Sequence, residues 1–83
     1  MSKLRLIIVT PEKPIASEEV DEVVLPGIEG QFGVLPEHTT LLSELGNGAL
    51  TFKKGNQSQT VQIFGGFCEV RQNQVTVLAD QAG

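Results

Sequence analysis

A chain of 83 residues, 40% of them apolar, has material for one small core and is expected to form a single domain over residues 1–83. Its net charge is −4, with seven of its ten acids between Glu12 and Glu37 and its six basic residues scattered, so it lacks the basic footprint that nucleic acid or an anionic membrane surface requires. A lone cysteine cannot form an internal disulfide and suits a reducing compartment, and no apolar run approaches the ~20 residues of a membrane span or the core of a signal peptide.

The opening run KLRLIIVT predicts a strand with Leu4, Leu6 and Ile8 on one face and Ile7 and Val9 on the other. Both faces are apolar, which predicts deep placement. Pro11 and Pro14 in PEKP end it, because proline donates nothing to a ladder. Ile15 stands alone as an apolar anchor, and Glu18, Glu19, Asp21 and Glu22 read as a solvated edge that discourages edge-to-edge pairing. EVVL (22–25) re-enters the core, and GQFGVLP sets Phe32 and Val34 on one face. TTLLSEL (39–45) has spacing that also fits a helical turn, but it is short and threonine-rich and reads as a strand. GNG (46–48) reads as a turn.

ALTFKKGNQSQTVQIF follows as a hairpin, with Leu50 and Phe52 on one arm, Val61 and Ile63 on the other, and KKGNQS between. GFCEVRQNQVTVLA is a second hairpin, turning at Gln72-Asn73, where asparagine tolerates the left-handed backbone. Nothing sustains a helical repeat. The expectation is an all-β sandwich or barrel of about ten short strands.

Chemical constellations are sparse. G-x-x-G-x-x-G at Gly27, Gly30 and Gly33 is not the dinucleotide fingerprint, and no helix or Lys-Ser/Thr follows it. The single histidine, His38, and the single cysteine, Cys68, cannot complete a structural zinc site. Cys68 alternates within a strand beside Glu69 and reads as a small buried side chain rather than half of a Cys–His dyad. No G-x-S-x-G is present, and the acids read as solvated surface rather than a paired-carboxylate site. Gly65-Gly66 reads as a bulge or bend. The residues themselves therefore point to an interaction module without catalytic, metal or cofactor sites. A free-standing β-sandwich that binds a ligand or peptide would need an apolar pocket or an open edge.

Two ordered motifs carry a resemblance. Gly27, Gly30, Phe32, Gly33, Val34, Leu35, Pro36, His38, Leu41 and Leu42 match a G-x-x-G-x-[LF]-G-[IV]-x-P-x-H-x-x-L-[LV] pattern, and Gly65, Gly66, Phe67, Glu69 and Val70 precede VTVLAD at 75–80. Together they span nearly the whole chain, which resembles the N-terminal domain of the epsilon subunit of bacterial and chloroplast F-type ATP synthase. The resemblance implies a flattened ten-stranded β-sandwich and a non-catalytic rotor subunit at the foot of the central stalk. That subunit docks on the gamma subunit and the c-ring, and couples proton flow to ATP synthesis.

It further implies a c-ring contact at Glu29, Gly30, Gln31 and Phe32. Many relatives carry an acid where Gln31 stands, which leaves Gln31 a hydrogen-bonding rather than a charge-pairing role. Gamma-facing positions are implied at Thr10, His38 and Ser43, as neighbours on one docking surface. The implied location is the cytoplasmic face of the bacterial inner membrane, or the stromal side of the thylakoid. Family members continue into a helical hairpin that inhibits hydrolysis and in some binds ATP. This sequence stops at LADQAG, as a naturally short form or a piece cut at the domain boundary, so no inhibitory arm and no nucleotide site are expected in it.

Overall fold

The computed structural model describes residues 3–83. They form seven strands: β1 (Leu4–Val9), β2 (Pro14–Val20), β3 (Glu22–Gly27), β4 (Gly30–Val34), β5 (Leu41–Lys54), β6 (Gln57–Arg71) and β7 (Gln74–Ala82). The hydrogen-bonded order is β2-β1-β7-β6-β5-β3-β4. Every neighbouring pair is antiparallel except β1 and β7, which run parallel.

The all-β expectation holds, but seven strands replace the expected nine or ten, because two of them are long. GNG (46–48) is not a turn. It lies inside β5, which runs 14 residues, and Gly65-Gly66 lies inside β6, which runs 15. The expected short arms are fused into continuous strands, yet the break between them survives as a change of side. In β5 the buried positions shift from Leu45 to Leu50 and Phe52, an odd-to-even switch. In β6 they shift from Ile63 to Gly66, Cys68 and Val70.

Successive side chains of a strand alternate between faces, so a parity switch means the strand has turned a corner. Each long strand thus serves two layers. One layer holds β2, β1, β7 and the Gly66–Arg71 and Leu41–Leu45 segments; the other holds the rest of β5 and β6 with β3 and β4. Counted as segments, this is five in one layer and four in the other, flattened into a body 32 × 23 × 19 Å across.

The corner depends on glycine. Gly65 and Gly66 have φ of +73° and +123°. A Cβ on Gly66 would sit 2.1 Å from the Leu78 carbonyl oxygen and 2.8 Å from Ala79 Cα, both backbone atoms of the neighbouring strand. The opposing Gly46 on β5 has ordinary room, its nearest contact being Ile28 Cα at 3.7 Å.

Between the layers lies an apolar core that includes Leu4, Leu6, Ile8, Leu25, Phe52, Ile63, Val70 and Val77. Each such side chain contributes about 1.5–3 kcal/mol on leaving water. Among the described residues no polar or charged side chain is buried. β1 was expected to be deep on both faces. Only Leu4, Leu6 and Ile8 are buried, while Ile7 and Val9 are half-buried, because the core lies on one side of this strand only.

Glu18 and Glu19 lie on the edge strand β2 as expected, but the acids of 18–22 are not simply solvated. Glu18, Asp21 and Glu22 are ion-paired to Lys54, Lys3 and Lys53. The Asp21 N–H donates to the Lys53 carbonyl at 2.8 Å, and its carboxylate accepts the Gly55 N–H at 2.7 Å. These contacts join the β2–β3 corner to the β5–β6 hairpin and close the sandwich along that seam. The Lys3 ammonium, and after it the Gly55 amide, hold the Asp21 carboxyl below the ordinary carboxylate range. The contact therefore supports the fold above that range and fades as pH falls through it.

Gly66→Ala is expected to lower unfolding stability by at least about 3 kcal/mol, through backbone strain and overlap together. Gly46→Ala is expected to stay within about 1 kcal/mol of the parent. Urea denaturation of the two variants checks this; equal midpoints would contradict the assigned corner.

Candidate docking surfaces

Glu29, Gly30, Gln31 and Phe32 lie together at the tip of the β3–β4 hairpin, where Gly27 pairs with Gly30 across the Ile28–Glu29 turn. A Cβ at Gly27 would lie 2.6 Å from the Gly30 carbonyl oxygen, and Gly30 has φ +132°. Both positions therefore need glycine, whereas Gly33 has room for a side chain. Glu29, Gly30 and Gln31 are exposed, and Phe32 is half-buried against the core. The Ile28 N–H donates to the Glu44 carbonyl at 3.1 Å and fastens the tip to β5. The tip and Leu42, Ser43 and Glu44 line one shallow hollow.

Ser43 thus sits beside this tip. It shares its face with Cys68, its partner across the ladder, so its side chain is half-buried at the rim of the layer. Thr10 is elsewhere. It closes the turn after β1, its hydroxyl donating to the Lys13 carbonyl at 3.0 Å and accepting the Lys13 N–H at 3.2 Å. The register runs from Val9 to Leu78, Phe67 and Glu44. Thr10 and Ser43 are therefore about three strand spacings apart, roughly 14 Å.

His38 is half-buried at the third place, near the opposite end of the strands. Its N–H donates to the Leu35 carbonyl at 3.2 Å, and its ring Nδ1 lies 2.7 Å from the Thr39 carbonyl oxygen. Asn73 holds this segment in place. Its side-chain oxygen accepts the Glu37 N–H at 2.7 Å, and its amide donates to the Glu37 carboxylate at 2.9 Å. Thr10, His38 and Ser43 therefore span one layer of the sandwich rather than touching.

The sequence reading passed over an exposed apolar row. Phe67 and Leu78 face each other across β6 and β7 and are each 53% exposed. They fall on the outward parity of their strands, opposite Cys68 and Val77, so strict alternation marks them. Leu42 (73% exposed) and Ile28 (59%) add apolar surface beside the β3–β4 tip.

Cys68 points into the core. Burial first, and the Glu69 carboxylate second, push its thiol up to about 12. It forms no dyad with His38, which lies half-buried in the segment after β4. Among the described residues no three or more His, Cys, Asp or Glu side chains are grouped to hold a metal ion. No helix there is long and apolar enough to cross a membrane.

The family described as "ATP synthase, Delta/Epsilon chain, beta-sandwich domain" matches residues 3–83. The ATP synthase epsilon chain of Maridesulfovibrio salexigens is 52% identical over 81 residues, which cover 98% of this chain and 57% of that one. The epsilon chain of Dehalococcoides mccartyi is 50% identical over 82 residues, covering 99% and 59%. This chain therefore spans somewhat under three fifths of the length of these curated relatives. Among solved structures, a chain of the Euglena gracilis mitochondrial ATP synthase, determined as OSCP/F1/c-ring, superposes with a TM-score of 0.93 at 24% identity, covering all of this chain and 54% of its own. A chain of the Tetrahymena thermophila mitochondrial ATP synthase central stalk and c-ring gives 0.82 at 18% identity, covering 99% and 66%. At such identities these two likenesses establish the fold.

Two outcomes are expected of the geometry. Cys68 in the native chain should alkylate at pH 8 at least about a hundredfold more slowly than in urea, because the thiolate is suppressed. Its folded pKa lies above its unfolded one, so its support for the fold is complete below pH ~9 and declines as pH rises through about 12. Cys68→Ala should flatten that alkaline slope in urea titrations. Separately, Asn73→Gly keeps the turn but removes the clasp on Glu37. It should cost about 1 kcal/mol and speed hydrogen exchange at the Glu37 amide; unchanged exchange would contradict the clasp.

Proposed function

The chain belongs to the ATP synthase delta/epsilon family, whose β-sandwich domain it forms over residues 3–83, and on that premise we propose that it is a non-catalytic part of the rotating central stalk of an F-type ATP synthase. It docks on the gamma subunit and on the c-ring, turns with both, and couples proton translocation to ATP synthesis. The observation that carries this reading is the match over all the described residues, joined to the exposed, glycine-shaped tip of the β3–β4 hairpin.

In this reading Glu29, Gly30 and Gln31 meet the polar loops of the c-ring, with Phe32 holding the tip from below. Thr10, His38 and Ser43 mark the gamma-facing layer, and Leu42 and Ile28 supply apolar contact next to Ser43. A standard interface removes roughly 800 Å² from each partner. Against a total surface of 5088 Å², that is about a sixth, which fits an interface reaching across a whole layer rather than one cluster. The wide separation of Thr10, His38 and Ser43 is what such an area demands. The domain would sit on the cytoplasmic face of the bacterial inner membrane, or the stromal side of the thylakoid, held there by its partners.

Calorimetric titration of the chain with purified gamma subunit from one of the bacterial relatives tests this. One-to-one binding is expected, weakened at least about tenfold by His38→Ala with Ser43→Arg and unaffected by Gln31→Lys at the opposite partner's loop. A folded parent chain that does not bind gamma would overturn the reading.

A further inference from the structure

The turn after β4 is built on a residue that resists it. The His38 N–H closes it on the Leu35 carbonyl at 3.2 Å. Pro36 stands at the second place and Glu37 at the third, where φ is +71°. Proline second and a positive φ third is the type II pattern, whose third place ordinarily takes glycine. A glutamate there is strained, and it keeps that conformation only where its surroundings impose it. Asn73 imposes it from the β6–β7 turn, 36 positions away in sequence. It accepts the Glu37 backbone N–H at 2.7 Å and donates to the Glu37 carboxylate at 2.9 Å. Asn73 itself has φ +62°, a conformation asparagine tolerates. The two turns are thus locked together, and His38 is the next residue along the chain.

This lock bears on what the His38 ring can offer. Its Nδ1 lies 2.7 Å from the Thr39 carbonyl oxygen. A carbonyl has no proton to give, so Nδ1 carries the hydrogen and donates it. In a neutral imidazole the other nitrogen, Nε2, is then a bare lone pair. Among the described residues, the bond to Thr39 is the only one the ring makes. Half-burial of His38 limits the directions in which the ring can turn.

We infer that Asn73 is a positioning residue for His38, acting through Glu37, and that it holds the ring ready to accept a hydrogen bond at Nε2. The group that His38 meets on its docking partner is therefore a donor: a lysine, an arginine or an amide N–H. A carboxylate or a carbonyl would face it lone pair to lone pair. Fixing the ring before docking reduces the ordering cost of binding. The identity of the partner rests on the gamma-facing reading above, whereas the state of the ring in the free chain does not.

His38 is the only histidine, so a chain carrying isotope-labelled histidine gives a single imidazole pattern. In mildly alkaline buffer, long-range proton–nitrogen correlations should show the Nδ1–H form enriched at least about threefold in the folded chain over the same chain in urea. Asn73→Gly keeps the backbone of its turn and should move the ring back toward the Nε2–H form while the chain stays folded, a change that a merely stabilising role would not produce. The second measurement is calorimetric titration with gamma subunit from one of the bacterial relatives. His38→Phe keeps a ring without an acceptor and should bind about tenfold more weakly than the parent, and His38→Gln, which carries an amide oxygen, should recover most of that loss. The spectrum of the parent needs no variant, so the state of the ring is tested even if a substitution misfolds. An excess of the Nε2–H form in the folded parent, an unchanged ring in Asn73→Gly, or equal binding by His38→Phe and His38→Gln would each overturn the inference and leave the gamma reading standing. A folded parent that does not bind gamma would overturn that reading, and the donor partner with it, whatever form the ring takes.

Discussion

The fold depends on one backbone constraint: β6 reverses the side its residues face at Gly65-Gly66. The Leu78 carbonyl lies where a Cβ of Gly66 would be, so the neighbouring strand occupies the space that any other residue needs. Because β5 pairs with β6 along nearly its whole length, it must turn the same corner, and it does so across Gly46–Ala49. One hydrogen-bonded sheet thereby becomes two layers with a shared core. Ile63 before the corner and Cys68 after it both face inward, although their positions differ by an odd number. Without the reversal, strict alternation would send one of the two apolar sets into solvent.

Folding a sheet on itself leaves two ends to manage. At one, β2 carries Pro14 and a run of acids. At the other, β4 is only five residues long. Both features discourage pairing with another chain. The closing seam is polar: Lys3–Asp21, Lys54–Glu18 and the Gly55 amide on Asp21. Exposed pairs of this kind each contribute little and are screened by salt. Their effect is positional. They fix where the β5–β6 hairpin meets the β2–β3 corner, while the apolar core supplies the driving force.

What could be read from the sequence follows the range of the interactions involved. The Gln72-Asn73 hairpin was legible because a two-residue turn with both central φ positive is set by local chemistry, and both residues adopt it. The inward sets Leu4, Leu6, Ile8 and Val75, Val77 were legible from alternation. GNG at 46–48 was not, because a glycine in a turn and a glycine in a bent strand look alike until the partner strand is known. The ion pairs of Glu18, Asp21 and Glu22 join residues more than thirty positions apart in two of the three cases once Lys53 and Lys54 are considered, and no local pattern reports them. Glu29, Gly30, Gln31 and Phe32, the residues proposed to meet a c-ring, fall together because they are contiguous in the chain. Thr10, His38 and Ser43 came from resemblance rather than from physics, and only the register reveals how far apart they stand.

The same construction bears on a mechanical role. The β3–β4 tip is fastened to β5 by the Ile28–Glu44 hydrogen bond, and β5 continues from there through the corner to Lys54. A load entering at that tip therefore passes along a covalent strand and its hydrogen-bonded ladder, with no hinge between the layers. Side-chain packing need only keep the corner from opening. A sandwich of two separate sheets would transmit the same load through apolar contacts, which resist sliding weakly because they are non-directional. Continuous strands across both layers, with no charged side chain buried among the described residues, suit the proposed place of this domain between neighbours that pull on it.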